Sequence, residues 1–346
     1  MKLDAMSGGL PLREMGVLAG EVEDTGFDGL WITEAGRSAF TACTSAALAT
    51  EHLELGTGIA VAFPRSPMLA AQAAWELAEA SGGRFALGLG TQVKAHIERR
   101  YSSEFAPPGP RLREYVLAVK AIFRAFRGEE RLQFNGDFYR FSLMPAMWSP
   151  GAIPVPDPPV YVAGVNPWMC RMIGEVADGI HVHPLHSLKY LDEVVRLNVE
   201  AGAKAAGRAA SEVALVCPLL TIVGDTDEEL ETWRDAARMQ LAFYGSTRTY
   251  SGVFDLHGWD GTSERLHELQ SHGDLKGMSA VFTDEMLDVY TLTARWDDLA
   301  DAILARYRAR ADRVICYFAA MSWRDNPGVR ERWADVARAV TAATTD

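Results

Sequence analysis

The chain has 346 residues, of which 48% are hydrophobic and 23% charged, a composition able to bury a sizeable core. A formal net charge of −12 argues against a nucleic-acid binder, which needs a basic face to neutralise phosphates, and disfavours an anionic membrane surface. The length allows two ordinary domains or one large α/β barrel.

In chain order, short apolar runs alternate with amphipathic stretches. Residues 3–6 read as a first strand and 12–25 as a helix with Met15, Leu18, Ala19 and Val22 on one face. Residues 30–33 form a second strand, 41–50 an alanine-rich helix, and 53–61 a third strand. Ser66-Pro67 opens the next helix, with serine as N-cap and proline at the first helical position. A fourth strand at 85–89 precedes a long helix at 111–126. The runs 132–134 and 138–141 flank Asn135-Gly136, a strong hairpin signal. A proline-rich tract then leads to a fifth strand at 160–163, a helix at 168–176 and a sixth strand at 180–183. The seventh strand is 214–223, followed by a capping box at Thr226 and Glu229. The eighth strand is 314–318, and a helix at 329–340 closes the chain.

Eight strands, each followed by helix, predict a (β/α)8 TIM barrel. Three helix-to-strand joints echo one another: Phe27-Asp28-Gly29-Leu30, Ala177-Asp178-Gly179-Ile180 and Ala311-Asp312-Arg313-Val314. Recurrence of one unit favours a closed barrel over the alternative, a doubly wound sheet. The expected organisation is one domain over 1–346, with a β-hairpin insertion before strand 5 (128–159) and a helical insertion before strand 8 (227–310). Cys43, Cys170, Cys217 and Cys316 share no CxxC and read as buried reduced thiols. No apolar run approaches the ~20 residues that span a bilayer. The N-terminus shows no basic-then-apolar signal pattern. The reading is a cytoplasmic protein with a small-molecule substrate and neither nucleic acid nor membrane as partner.

In such a barrel the active site forms at the C-terminal strand ends. After strand 2, Glu34 either faces the mouth and hydrogen-bonds a ligand ring, or is solvated or paired with Arg37 or Arg65. Gly56 and Gly58 inside strand 3 imply a bulge or close approach, with a ring lying on Gly58-Ile59, or else helix packing against a glycine. After strand 4, Gly90-Thr91-Gln92 can present backbone N–H groups to an anion. The cationic Lys94, His96, Arg99 and Arg100 behind it would suit a polyanionic arm, or form a solvated face paired with Glu98 or Glu104. Ala163-Gly164-Val165-Asn166 is either a phosphate cradle at a helix start or a turn chosen for its geometry. His181 and His183 share one face of strand 6, as ligand contacts or as packing. Their spacing, with no carboxylate nearby in sequence, specifies no metal.

The order of these pieces resembles the bacterial luciferase-like superfamily, and within it the branch that uses the deazaflavin coenzyme F420. The carrying motifs are Gly26-Phe27-Asp28-Gly29-Leu30-Trp31, Leu55-Gly56-Thr57-Gly58-Ile59-Ala60-Val61, Ser81-Gly82-Gly83-Arg84-Phe85-Ala86-Leu87-Gly88-Leu89-Gly90, Gly174-Glu175-Val176-Ala177-Asp178-Gly179 and Ala242-Phe243-Tyr244-Gly245-Ser246-Thr247. The resemblance implies a barrel, commonly homodimeric, with the cofactor ring over a strand 3 bulge whose non-prolyl cis peptide matches Gly58-Ile59. It places Glu34 as the acid approaching the ring and Thr91 and His96 as cofactor contacts, joined here by Gly90, Gln92 and Arg100. Gly164, Val165 and Asn166, with Ala163 before them, match the phosphate turn. Arg65 falls near the mouth; with Trp168 and Tyr244 it is a candidate substrate contact.

This sequence also departs from the pattern. Several deazaflavin-dependent relatives carry an active-site histidine where Ala35 stands, and others a glutamate near Val93 and Lys94. His183 is the chosen substitute acid/base. The implied activity is an F420-dependent oxidoreductase moving a hydride without oxygen incorporation. The alternatives are an FMN-dependent monooxygenase on the same barrel and a non-catalytic deazaflavin-binding protein.

Overall fold

The structure is a computed structural model that describes residues 1–105, 107–324 and 326–345. Eight parallel strands form its centre: β1 (Lys2–Ser7), β2 (Gly29–Ile32), β3 (Glu54–Thr57), β4 (Phe85–Gly90), β5 (Val160–Gly164), β6 (Gly179–Val182), β7 (Ala214–Val223) and β8 (Arg313–Cys316). They pair in sequence order, β7 bonds both β6 and β8, and β8 bonds β1, so the sheet closes. Closure rules out the doubly wound alternative. Helices cover the outside, and the strands are buried almost throughout, as a two-sided parallel sheet requires.

The recurring joints have a common physical basis. Asp28, just before β2, accepts the Leu3 N–H at 2.7 Å and donates its own N–H to the Leu3 carbonyl at 2.8 Å. Asp178 does the same to Val160 (2.9 and 2.8 Å), and Asp312 to Leu215 (2.7 and 3.0 Å). Each aspartate thereby pins the start of β2, β6 or β8 to the strand before it, satisfying backbone groups that would otherwise be left open.

Inside the barrel, Arg313 forms a bidentate pair with Asp4, Nε at 2.6 Å and Nη2 at 2.7 Å, and its third nitrogen reaches Glu54. Trp31 Nε1 donates to the same Asp4 at 2.8 Å. Asp4 has no exposed surface, and a charge so placed requires this many partners. The Trp31 indole lies above, stacked on Tyr161 at 5.8 Å and meeting His181 edge-on at 4.6 Å. Gly56 makes room for it, since a Cβ there would sit 2.1 Å from the indole.

The structure corrects several boundaries. The third strand does not run unbroken from 53 to 61; it stops at Thr57 and resumes as Ala60–Val61 against β4. The sixth ends at Val182 and the eighth at Cys316, so His183 and Tyr317 lie just past their strands. In the hairpin Phe134 pairs with Phe141 and Asn135 with Arg140, leaving a four-residue loop where the runs 132–134 and 138–141 leave three residues around Asn135-Gly136. The cause is Glu114 on the helix Pro108–Arg127. Its carboxylate accepts the N–H groups of Asp137, Phe138 and Tyr139 at 2.9, 2.8 and 2.5 Å and pulls the loop open.

Between β7 and β8 lie helices Asp227–Gly245, Ser251–Asp255, Thr262–Ser271, Leu275–Val281, Asp284–Tyr290 and Trp296–Tyr307. A short strand, Thr291–Ala294, adds in parallel to the upper half of β7. The capping box at Thr226 forms as read. All four cysteines are buried and free. Among the described residues no helix is long and apolar enough to cross a membrane.

Candidate active site

The break in the third strand is a bulge. Leu55 and Gly56 pair with Phe85 and Ala86, and pairing resumes at Ala60–Leu89, so three residues on one side face two on the other. Thr57 repairs the interrupted ladder with its side chain: Oγ1 donates to the Gly88 carbonyl at 2.6 Å and accepts the Gly88 N–H at 2.9 Å. Only glycine permits this approach, because a Cβ at 88 would lie 1.9 Å from the Thr57 carbonyl oxygen. The Gly58–Ile59 peptide is cis, as the resemblance implied. The Ile59 side chain then lies over Gly90, where a Cβ would meet Ile59 Cδ1 at 2.6 Å and Ala163 Cβ at 3.6 Å. Ile59, Gly90 and Ala163 thus form a continuous floor across three strand ends.

Glu34 locks that floor from the side. Its carboxylate takes Arg65 bidentately, Nη2 to Oε1 at 2.6 Å and Nη1 to Oε2 at 2.7 Å. Oε2 also accepts the Val61 N–H at 2.8 Å, and Oε1 the Ala39 N–H at 3.4 Å. Arg65 further donates to the Val61 carbonyl at 3.0 Å and lies over Phe40. Of the readings open for Glu34, the geometry shows the ion pair, with Arg65 and not Arg37 as partner. Both oxygens are engaged, which opposes a proton-transfer role. The Arg65 guanidinium, read as a substrate contact, is held by the same pair.

The turn after β4 is held in an unusual conformation. Gln92 has φ 56°, and its Oε1 accepts the Val93 N–H at 2.9 Å. The helix Lys94–Arg99 leaves His96 and Arg99 exposed, while Arg100, just past it, donates to the Ala35 carbonyl and ties this loop to the one after β2. Glu98 pairs with Lys94 at 3.8 Å and not with Arg99 or Arg100. In the β5 turn Gly164 is small because a Cβ would press on Ile173 Cδ1 at 2.7 Å, a packing reason that neither reading of this turn named. Asn166 at the helix start is exposed, and its side chain makes no cap bond. Trp168 lies half-exposed against Gly109 at the rim and takes no part in the ring contacts around His183.

Histidines and tyrosines form the opposite wall. His181 is buried beside Gly88, and its Nε2 has no partner among the described residues. Burial, and then Arg313, push it down to about 3. His183 is half-buried, with Tyr244 at 4.8 Å and Tyr250 at 4.6 Å between ring centroids. Its Nδ1 accepts the Leu185 N–H at 3.1 Å. Burial, and then His186, hold its imidazole well below the usual histidine range. His186 turns away, donating from Nδ1 to the His183 carbonyl at 2.8 Å and meeting the Tyr307 hydroxyl at 3.2 Å.

The Tyr244 hydroxyl bonds that of Tyr317, and burial raises both phenols. Tyr317 and Tyr250 escaped the sequence reading. Tyr317 continues the inward phase of Ile315 one step past β8, a signal that was there to use. Tyr250 comes from an irregular turn, Arg248–Tyr250, that no periodicity marks.

A closed parallel barrel with a bulge and an aromatic wall at its C-terminal mouth defines a (β/α)8-barrel protein, the fold whose active sites form at the strand ends. The family model described as "Luciferase-like monooxygenase" matches residues 2–313, and the chain belongs to that family. It is 40% identical over 301 residues to the uncharacterized protein Rv1360 of Mycobacterium tuberculosis, covering 87% of this chain and 88% of that one. It is 30% identical over 302 residues to a 5,10-methylenetetrahydromethanopterin reductase of Archaeoglobus fulgidus, covering 85% and 86%. Among solved structures it superposes on the coenzyme F420 dependent tetrahydromethanopterin reductase of Methanopyrus kandleri, TM-score 0.79 at 20% identity over 99% of both chains.

Proposed function

We propose that the protein is an F420-dependent oxidoreductase that transfers a hydride between the deazaflavin and a small organic substrate. The observation that carries this is the floor of Ile59, Gly90 and Ala163 beside the Gly58–Ile59 cis bulge, where the Ile59 side chain packs on Gly90 so closely that a Cβ added there would strike it at 2.6 Å. The 30% identity to a 5,10-methylenetetrahydromethanopterin reductase, and the fold shared with an F420 dependent reductase, support the deazaflavin over FMN.

When bound, the deazaflavin would supply a ring carbon that accepts or gives the hydride. The residues present fit such a ring. Gly58, Ile59, Gly90 and Ala163 would seat it, and the unpartnered His181 Nε2 lies close beneath. Thr91, Gln92, Gly164, Val165 and the open helix start at Asn166 would hold the phosphate. His96 and Arg100, with Arg99 beside them, would meet an anionic tail leaving this turn. Glu34 and Arg65 position the bulge through Val61, and Tyr244 and His183 bound the substrate space, with Trp168 at its rim.

Titration of the purified protein with coenzyme F420 and with FMN, followed by cofactor fluorescence, tests the reading. Micromolar deazaflavin binding is expected, weakened by Gly90→Val. Tight FMN binding with none of deazaflavin would overturn it.

A further inference from the structure

We infer that His183 is the substrate's hydrogen-bond donor, a neutral imidazole presenting Nε2–H, and that the substrate at this mouth is therefore an uncharged acceptor such as a carbonyl or conjugated enone. The inference rests on the proposed function, which it deepens by naming the substrate class.

The tautomer follows from one contact. The Leu185 N–H can only donate, so the His183 Nδ1 that receives it carries no proton, and the ring's proton sits on Nε2. Nε2 makes no hydrogen bond among the described residues and, unlike that of His181, is not sealed from solvent. It is a donor without a partner that keeps some exposure. The ring is fixed between Tyr244 and Tyr250, which come from the tract after β7, while Tyr317 reaches it through Tyr244 from beyond β8. His186, on its own loop, faces it through the His183 backbone carbonyl.

None of these groups is charged at neutral pH: burial raises the phenols and keeps both histidines neutral. Across the mouth, Glu34 and Arg65 saturate each other. An ionised substrate would find no counter-charge among these groups, and an apolar wall penalises an unpaired charge. A neutral acceptor finds flat aromatic faces and one oriented donor.

The chemistry balances without asking His183 for its proton. In the reducing direction a bound reduced deazaflavin would supply the hydride and be oxidised in doing so; the hydride would bond to the acceptor carbon while the C=O π pair moves onto oxygen. Nε2–H stabilises the oxygen's developing charge, and water supplies the proton that completes the alcohol. Loss of Nε2–H itself would leave an imidazolate, so the histidine is a positioning and polarising donor and not the acid.

The test uses the deazaflavin-loaded protein with cyclohexenone and cyclohexenecarboxylate as matched neutral and anionic probes. Nitrogen NMR of 15N-histidine protein reads the tautomer directly. The expected result is Nδ1 bare and Nε2 protonated from roughly pH 5 to 8. Cyclohexenone should bind more tightly than the carboxylate. His183→Phe, which keeps a ring of similar shape, should weaken cyclohexenone by about tenfold to hundredfold, and His183→Gln, which keeps an N–H, should restore part of that.

An imidazolium or an Nδ1–H tautomer in that pH range overturns the inference, as does equal binding of the two probes. The NMR reading needs no variant to fold. Deazaflavin binding is scored separately by fluorescence. A wild type that binds none refutes the proposed function, whereas normal cofactor binding with unaltered cyclohexenone affinity in His183→Phe refutes this inference alone.

Discussion

Replacing Glu34 by glutamine separates a clamp from a catalytic acid. The side chain keeps its length and can still accept the Val61 N–H, but it loses the charge that holds Arg65 in two bonds at 2.6 and 2.7 Å. Breaking a buried ion pair by removing one partner costs about 3–5 kcal/mol. Arg65 keeps 25% of its side chain exposed and can be partly rehydrated, so the lower end, about 3 kcal/mol, applies. With an unfolding entropy of about 2.1 cal/mol/K per residue over 346 residues, that is a fall in Tm of about 4 °C.

Differential scanning calorimetry of Glu34→Gln, Arg65→Met and the double variant measures it. The double variant should cost clearly less than the sum of the singles, because the two side chains act as one unit. Deazaflavin affinity should fall with stability, since Val61 and the bulge loosen together, while the pH profile of the remaining activity keeps its shape. A Glu34→Gln protein with Tm unchanged to within about 1 °C and turnover abolished would refute the clamp and restore the acid role.

Glycine substitutions should divide by what the new methyl meets. Gly88→Ala meets a backbone carbonyl at 1.9 Å and should cost about 3 kcal/mol and most of the cofactor affinity, whereas Gly164→Ala meets only side chains, Ile173 Cδ1 at 2.7 Å, Ile180 Cδ1 at 3.3 Å and Met169 Cγ at 3.4 Å, and should cost less than about 1.5 kcal/mol, both read from denaturant midpoints. Stability should also fall as pH drops. His181 and His186, held neutral with values pushed down to about 3 and about 4, take up protons only on unfolding, where the ordinary value is near 6.5. Their contribution is complete above about pH 6.5 and is lost as pH falls toward 4; at pH 5.5 the loss is about 3 kcal/mol for the pair. A melting temperature flat between pH 5 and 7 would contradict their neutral burial. Glu114→Ala removes the acceptor of three backbone N–H groups and should open the hairpin loop to proteolysis several-fold faster than wild type.

The barrel was legible because its signals are local. Alternating apolar runs, the Ser66-Pro67 start, the Thr226 capping box and the aspartate joints each act within a few residues or on the adjacent strand, and the structure supplies the hydrogen bond behind the last three. The floor was legible for a similar reason. Glycines at 56, 58, 88 and 90 are conspicuous inside strands, and each stands where a Cβ would strike Trp31, Thr57 or Ile59 at 3.1 Å or closer. What sequence could not fix was how side chains pair across loops. Glu34 had several possible partners, and only the fold brings Arg65 and Val61 to it while leaving Arg37 exposed. The hairpin register failed likewise, because a carboxylate from another element decided it.

These two kinds of construction divide the mouth in a way that bears on substrate choice. The floor is the Ile59 side chain seated on Gly90 beside Ala163, so its shape is dictated by the bulge and the Thr57 bonds and tolerates little change. The facing wall consists of side chains from three separate places: His183 beyond β6, Tyr244 and Tyr250 from the tract after β7, and Tyr317 beyond β8. Substituting any one alters the wall without touching the floor. Cofactor affinity and substrate selectivity should therefore separate under mutation. Tyr250→Leu, which removes a ring beside His183 but no hydrogen bond to the floor, should leave deazaflavin binding within about twofold while shifting the preference between cyclohexenone and bulkier ketones by about tenfold. Equal losses in both measurements would show that wall and floor form one unit, and the division argued from their construction would be wrong.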